Sequence, residues 1–208
     1  MQADPRQSVV DETVAAYDAG AEPYARRFAE VDLTEYFERF LARLPTPVGP
    51  ILDAGCGSGR DLARFARLGV TAVGLDRSSG MLAMVRKVEP ATRLVQGDLR
   101  RLPFRDLGFA GVWHVASLLH LIPTDACKAL FEVHRILQPG GVVFLSVACG
   151  KGSEWRDGFV GGRRWFQYYE RDDIERMVRQ AHLKVIWSAV QQGVVHGTWI
   201  NLLAEREA

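Results

Sequence analysis

A glycine-rich stretch between an apolar run and a helix-like segment constrains the fold of this chain most. The stretch ILDAGCGSGRD, residues 51–61, places glycine at positions 55, 57 and 59. Glycine permits positive φ and, having no Cβ, lets a ligand approach the backbone, while free N–H groups at the start of the next helix face that ligand. A strand that turns into a helix around a small molecule is typical of doubly wound α/β sheets. The alternative is a tight turn that binds nothing.

Apolar runs alternate with helix-like stretches over the rest of the chain. Runs that predict strands occupy residues 51–54, 71–75, 93–95, 110–115 and 142–147. Alternation at this spacing predicts a parallel sheet covered by helices on both faces. Two later runs, 184–190 and 198–204, have no helix between them and predict a hairpin at one edge of the sheet.

The N-terminal part predicts a helical extension in front of this sheet. Residues 9–44 carry apolar side chains at helical intervals and predict two amphipathic helices, separated near Gly20 and Pro23. The stretch PTPVGP then ends the second helix. We therefore predict a helical cap over residues 1–48 and an α/β domain over residues 49–208.

Composition excludes several classes of partner. Lys and Arg (26) balance Asp and Glu (25), so no global field attracts a polyanion or a membrane surface.

The three cysteines, Cys56, Cys127 and Cys149, show neither a Cys-x-x-Cys motif nor metal-ligand spacing to histidine, and we predict no metal. No leader-like start and no run of roughly 20 apolar residues occurs. We expect an unexported, cytoplasmic protein that is a monomer or a homodimer.

Two carboxylates follow the next two predicted strands. Asp76 ends TAVGLD, where it can accept hydrogen bonds from both hydroxyls of a ribose, although it can also cap the helix that begins near Ser79. Asp98 lies at the same rim and can accept from an exocyclic amine such as that of adenine. Arg60 occupies the position where a dinucleotide-binding loop has its third glycine, which disfavours NAD. The pattern predicts an adenosine site.

Five segments of the chain, taken together, resemble the successive motifs of class I S-adenosylmethionine-dependent methyltransferases. They are ILDAGCGSGRD, AVGLDRSSGML, VQGDLRRLPF, VWHVASLLHLI and HRILQPGGVVFLSV, in order between residues 51 and 147. The resemblance implies a doubly wound, seven-stranded, mostly parallel Rossmann-like sheet whose last strand is antiparallel. It also implies that S-adenosylmethionine binds residues 49–208 and leaves as S-adenosylhomocysteine.

The resemblance assigns cofactor contacts as well. It places Asp53 and Gly55 near the methionine part, Asp76 at the ribose, and Asp98 with the Leu99 backbone at the adenine. The rest of the predicted cofactor set is Tyr24, Cys56, Gly57, Gly59, Arg77 and Val115. We interpret Cys56 as a packing thiol rather than a nucleophile, because no base lies beside it in the motif.

The predicted acceptor side follows the fourth and fifth strands. His120 is the candidate general base, since imidazole titrates near neutrality; alternatively it bonds backbone or the cofactor carboxylate. His114 is interpreted as a core or wall residue. Segment 149–169, rich in glycine, aromatic residues and arginine, is predicted to be a mobile cover over the acceptor or, alternatively, an ordinary solvated loop. Predicted substrate contacts are Tyr17, Ser117, Arg163 and Trp165.

The leading hypothesis is methyl transfer from S-adenosylmethionine to a small molecule. Alternatives are a methyltransferase for a modified base in transfer RNA and a cofactor-binding protein without transferase activity. The strand end WHVASL lacks the Asn/Asp-Pro-Pro-aromatic motif of enzymes that methylate nucleobase amines. We therefore expect no DNA partner, and RNA is not favoured.

Overall fold

The computed structural model describes residues 5–158, 161–193 and 197–207, with side chains from residue 9 onward. Within these ranges the chain forms nine strands, numbered β1 to β9 in chain order: Ile51–Ala54, Ala72–Asp76, Arg93–Gln96, Phe109–Val115, Leu137–Ala148, Ser153–Asp157, Arg163–Gln167, Leu183–Gln192 and Thr198–Arg206. Helices α1 to α7 are Pro5–Ala19, Ala21–Phe28, Thr34–Leu41, Arg60–Arg67, Ser79–Val88, Pro123–Ile136 and Arg171–Gln180.

Seven strands form one twisted sheet in the order β3-β2-β1-β4-β5-β9-β8. Strands β1 to β5 pair in parallel, whereas β9 is antiparallel to both β5 and β8. The predicted doubly wound, mostly parallel sheet with an antiparallel last strand is confirmed. Because β1 to β5 run in parallel, the carboxyl ends of these five strands all lie at one rim.

Apolar side chains cover both faces of the sheet. On one face, Leu130 of α6 and Val178 of α7 belong to a large buried cluster with strand residues such as Leu145. On the other, Phe37 of α3 packs 4.3 Å, centroid to centroid, from Trp113 of β4. Burial on both faces explains why these strands are continuous apolar runs rather than alternating ones.

The N-terminal region contains three helices where the sequence predicted two. Gly20 separates α1 from α2, as expected. Pro23, however, lies in the first turn of α2, where its missing N–H removes no intrahelical hydrogen bond. The second break falls before α3, where the Asp32 carboxylate accepts from the Thr34 N–H at 2.8 Å. The prediction of N-terminal helices is confirmed, but their division was wrong because a proline near a helix start does not end it.

The segment after β5 is a β-hairpin rather than an irregular loop. Strands β6 and β7 pair antiparallel, and β7 contacts both α1 and the short 3-10 turn Leu118–His120 that follows β4. Residues 159 and 160 of the predicted cover lie outside the described part of the chain. In the described ranges, no helix has the length and apolar character needed to cross a membrane.

Candidate active site

The glycine loop between β1 and α4 is clamped to the end of β2. The N–H groups of Gly55 and Cys56 donate to the Leu75 carbonyl at 2.7 and 3.0 Å. The Gly57 N–H donates to Oδ2 of Asp76 at 2.8 Å. These bonds hold the loop at the carboxyl end of the sheet, at the rim where doubly wound folds bind ligands.

The three loop glycines have positive φ, but their surroundings differ. A Cβ on Gly55 would lie 2.3 Å from Ser117 Cβ, and one on Gly59 would lie 2.9 Å from Val85. A Cβ on Gly57 would meet only the Tyr24 ring, at 3.7 Å. Gly55 and Gly59 are therefore required by packing, whereas Gly57 exposes its backbone to open space.

That open space consists of two cavities that meet at the loop. The smaller, of about 100 Å³, extends past Asp76, Asp98 and Leu99. The larger, of about 240 Å³, extends past Asp53 toward the β6–β7 hairpin and β9. We call the residues that line both cavities the junction: Tyr17, Tyr24, Gly55, Gly57, Val115, Ala116 and His120. Most predicted cofactor residues line one or both cavities; Gly59 instead packs on Val85.

Asp76 and Asp98 both face the smaller cavity but differ in their partners. Asp76 accepts from the Gly57 and Ser78 backbone N–H groups through separate oxygens, and burial raises its pKa. Asp98 is ion-paired with Arg77 and Arg100. Burial tends to raise the pKa of Asp98, but hydrogen bonds and charge from Arg100 and Arg77 leave it lowered. Each Asp76 oxygen retains a lone pair that can accept from a ligand.

Asp53 is a buried carboxylate at the end of β1. Among the described residues, none donates a hydrogen bond to its Oδ2 atom. Burial and the neighbouring Asp61 carboxylate raise the pKa of Asp53 well above its ordinary value. Asp61 itself accepts from Arg60 and, at 2.9 Å, from the Trp113 indole. The site therefore contains a buried carboxyl oxygen that accepts no hydrogen bond from the described residues.

Cys56 and His114 are part of the packed wall. The Cys56 side chain packs with Leu62, Leu82 and Val85, and burial raises the pKa of its thiol, so its predicted role as a packing residue is what the geometry favours. His114 is fully buried. Its Nδ1 lies 2.6 Å from Ser117 Oγ, which donates to the Ala54 carbonyl at 2.7 Å.

His120 joins three elements at the junction. Its Nδ1 lies 2.6 Å from the Trp165 carbonyl, which can only accept, so Nδ1 carries the proton. Nε2 is then the acceptor for the Tyr17 hydroxyl at 2.7 Å. Burial lowers the pKa of His120 to about 4. The imidazole is therefore neutral at physiological pH, with Nδ1 donating to Trp165 and Nε2 accepting from Tyr17.

Strand β7 presents alternate side chains to opposite sides. Arg164 and Phe166 line the larger cavity. The predicted acceptor residues Arg163 and Trp165 point away from both cavities: Arg163 pairs with Glu12, and the Trp165 ring packs on Trp155. The strand period places Arg164 at the cavity instead of the predicted substrate contact Arg163. The sequence did not distinguish the two neighbouring arginines because that segment was not interpreted as a strand.

The far part of the larger cavity contains residues that the sequence analysis did not assign. We call seven of them the acceptor half: Phe28 of α2, Tyr36 of α3, Ser146 of β5, Arg164 and Phe166 of β7, and Trp199 and Asn201 of β9. Asn201 links two of them, accepting from Ser146 at 2.8 Å and donating to Tyr36 at 3.2 Å. No local motif marks these residues, because they come from five separate elements.

Helix α1 lies across the rim and closes the smaller cavity. Asp18 accepts from the Ser78 hydroxyl and the Gly80 N–H at 2.6 and 2.8 Å, and Asp11 pairs with Arg77. On its other side, the Thr13 hydroxyl accepts from the Trp165 N–H at 3.0 Å. The cover over the rim therefore consists of α1 and the β6–β7 hairpin, bonded to each other.

Comparisons with known proteins agree with this architecture. Residues 51–141 match the sequence model of a family described as a methyltransferase domain. The malonyl-[acyl-carrier protein] O-methyltransferase of Pectobacterium atrosepticum is 39% identical over 131 residues, which are 62% of this chain and 50% of that protein. The chain thus spans about half the length of the curated relatives it matches.

Two solved structures share the fold over nearly the whole chain. The Burkholderia thailandensis 1,6-didemethyltoxoflavin-N1-methyltransferase, solved with its acceptor and S-adenosylhomocysteine, has a TM-score of 0.76 and 20% identity and covers 100% of this chain and 92% of its own. The magnesium protoporphyrin IX methyltransferase of Synechocystis has a TM-score of 0.73 and 16% identity, with 99% of each chain covered. Identities this low establish the fold alone.

Proposed function

Because the chain belongs to the class I S-adenosylmethionine-dependent methyltransferases, we propose that it transfers a methyl group from S-adenosylmethionine to a small molecule. The observation that carries this proposal is the pair of cavities meeting at the glycine loop. One cavity offers ribose- and adenine-binding groups, and the other extends past Asp53 to the acceptor half beyond the junction. A two-part ligand site of this kind suits a donor and an acceptor that must meet.

The residues present fit S-adenosylmethionine. Asp53 supplies a buried carboxylate oxygen without a partner among the described residues, which suits the ammonium of the methionine part. Gly57 leaves backbone open where a side chain would otherwise project. Asp76 can accept from ribose hydroxyls, and the Leu99 wall and Asp98 flank the adenine position. When bound, the cofactor supplies an electrophilic methyl group on a sulfonium.

The protein's part in such a transfer is alignment and exclusion of water. Tyr17 and His120 line the junction and would contact the acceptor. Their hydrogen bond fixes the Tyr17 hydroxyl, and the bond from His120 Nδ1 to the Trp165 carbonyl fixes the imidazole. We expect His120→Ala to lower turnover more than it weakens cofactor binding, because the pair orients the acceptor.

The acceptor is proposed to be small because the volume of its cavity is limited. The larger cavity holds about 240 Å³, and the rim around it is covered by α1 and the hairpin. Relatives differ in what their names say they methylate, a malonyl group on a carrier protein in one case and 1,6-didemethyltoxoflavin in another. They support methyl transfer rather than one particular acceptor.

Free cysteines favour a reducing compartment, the cytoplasm.

The decisive experiment is a labelled-methyl assay with three substrates in parallel: deproteinised metabolites, purified total transfer RNA, and buffer alone. The proposal expects label in metabolites and none in RNA. Label in RNA instead supports the modified-base alternative. Tight binding of S-adenosylhomocysteine by titration calorimetry, without transfer to any fraction, supports a protein that only binds the cofactor. Asp76→Ala serves as the inactive control.

A further inference from the structure

We propose that the methyl acceptor is an ionised carboxylic acid attached to a flat apolar group, held by Arg164, and that the product is its methyl ester. This inference rests on the proposed methyl transfer and names the class of acceptor for the same site. It is carried by the charge, the rings and the hydrogen bonds of the acceptor half.

Arg164 places a buried positive charge in the acceptor half. Arg164 is only 8% exposed, and its Nη1 atom donates a hydrogen bond to the Tyr17 hydroxyl at 3.2 Å. A guanidinium stays charged when buried and binds a carboxylate through two parallel hydrogen bonds. Because Tyr17 belongs to the junction, an acid held by Arg164 would have its oxygen beside the position where the two cavities meet.

The described carboxylates that line the larger cavity lie elsewhere. Asp53 and Asp61 belong to β1 and α4, next to the glycine loop, and Asp61 is paired with Arg60. Arg156, which also lines the cavity, is paired with Glu154. The buried Arg164 charge is therefore the feature that favours an anion and disfavours an amine acceptor in its protonated form.

Aromatic rings form the walls around that charge. Phe28, Tyr36, Phe166 and Trp199 line the acceptor half, and the Arg164 guanidinium lies 5.2 Å from the centroid of Phe166. Rings of this kind contribute large apolar area to a binding site and stack on planar ligands. The body attached to the carboxylate is accordingly flat and apolar.

The proton chemistry of the junction points the same way. The His120 lone pair already accepts from Tyr17, and burial lowers the pKa of this imidazole to about 4, which makes it a weak base at neutral pH. A phenol or an amine must lose a proton when it is methylated, so it benefits from a base. A carboxylic acid is already ionised at neutral pH and does not.

The step balances without a proton acceptor. One carboxylate oxygen forms a bond to the methyl carbon, the bond between that carbon and the sulfonium sulfur breaks, and its electron pair stays on sulfur. The anion and the cation become a neutral ester and a neutral thioether. No proton is released.

The first test distinguishes the ester from other products. The protein is incubated with methyl-labelled S-adenosylmethionine and deproteinised small-molecule extract, and the extracted product is treated with mild base. Our inference expects the label to be released as volatile methanol. Label that stays on the product after base treatment overturns the inference but leaves the proposed methyl transfer intact. No transfer of label to any metabolite contradicts the proposed function itself.

The second test addresses Arg164, using the parent acid identified from the labelled ester. Arg164→Gln should raise KM for the acid by at least about tenfold, because it removes a charge-assisted bidentate contact, while the Kd of S-adenosylhomocysteine stays within about threefold. Arg164→Lys keeps the charge without the planar fork and should fall between. Arg176→Gln, on the exposed side of α7, is the matched control and should behave as wild type.

Two further results would count against the inference. An unchanged KM in a folded Arg164→Gln variant means that Arg164 does not hold the acid. One proton released per methyl group transferred, measured with a pH indicator in weak buffer, means that the acceptor arrives protonated. Zero proton release supports the carboxylate.

Discussion

Asp76 connects the architecture of the loop to the cofactor site. Its two oxygens accept from the Gly57 and Ser78 N–H groups, so the carboxylate fixes the loop while facing the smaller cavity. Removing it would take away the proposed ribose contacts and would also loosen the loop backbone that it holds. Affinity and stability must therefore be measured together for any Asp76 variant.

Asp76→Ala should weaken binding of S-adenosylhomocysteine by well over tenfold, because each hydrogen bond to a charged group contributes about 1.5 to 3 kcal/mol. Titration calorimetry measures the effect. Asp172→Ala, an exposed acidic position in the first turn of α7, is the control and should leave affinity unchanged. An unaltered affinity for S-adenosylhomocysteine in a folded Asp76→Ala protein would contradict the assignment of Asp76 to the ribose.

Gly57 offers a second test at the residue scale, because the chain contains a matched glycine. Gly57 and Gly69 both have positive φ, and a Cβ on Gly69 would meet nothing within 4 Å. Valine at either position should cost about 1 to 3 kcal/mol of stability from backbone strain. Only Gly57→Val should also abolish S-adenosylhomocysteine binding. Equal affinity in the two variants would mean that the ligand does not approach Gly57.

His114 should make the stability of the protein depend on pH. Burial lowers its pKa to about 4, so between about pH 6.5 and pH 4 the unfolded chain binds a proton that the native state does not. Stability from this residue is complete above that window and is lost as pH falls through it. Asp53 and Asp76, whose pKa values are raised, act in the opposite direction.

A comparison of wild type with His114→Gln therefore isolates the histidine. Urea denaturation should show the stability advantage of the wild type shrinking by about 2 kcal/mol between about pH 7 and pH 5. An advantage that does not change over this range would show that His114 is not held neutral in the folded protein.

At the scale of elements, α1 and the β6–β7 hairpin act together. The hairpin bonds α1 through the pair Arg163–Glu12 and through the Thr13 hydroxyl, and His120 bonds both of them. The ion pair is exposed and contributes little by itself. The cover is held on the sheet mainly by its buried apolar side chains, including Val10 and Phe166. A ligand bound beneath α1 and the hairpin would increase the apolar area that they bury.

Amide hydrogen exchange should slow in residues 9–19 and in both hairpin strands when S-adenosylhomocysteine binds, because both elements line the cavities that the ligand fills. Helix α7 lies away from the rim and should exchange at the same rate with and without ligand. Exchange that stays fast in both cover elements would indicate an open acceptor site and would favour a large acceptor such as transfer RNA.

At the scale of the whole molecule, ligand binding and folding are linked. S-adenosylhomocysteine at about 100 times its Kd should add about 2.7 kcal/mol to the free energy of unfolding, which raises Tm by about 5 to 10 °C in a chain of this size. NAD at the same concentration should neither shift Tm nor displace S-adenosylhomocysteine, since Arg60 replaces the dinucleotide loop glycine. Displacement by micromolar NAD would contradict the cofactor assignment.

The sequence by itself determined the class of fold, a doubly wound and mostly parallel sheet, and predicted the position of the donor site. Both follow from local sequence patterns: continuous apolar runs, the glycines at 55, 57 and 59, and the acidic residues Asp76 and Asp98 at strand ends. Parallel pairing of β1, β2 and β3 then places these residues at one rim. The matching of motifs in order added the antiparallel last strand.

Only the tertiary structure decided the acceptor side. Arg164 of β7 bonds Tyr17 of α1 across 147 residues of chain, and Asn201 of β9 bonds Tyr36 of α3 across 165. Whether Arg163 or Arg164 faces the cavity depends on the register of β7, because a shift of one residue moves every side chain to the opposite face. The same packing buries His120 and so makes it neutral, which a local sequence pattern does not encode because desolvation depends on every element that surrounds the ring.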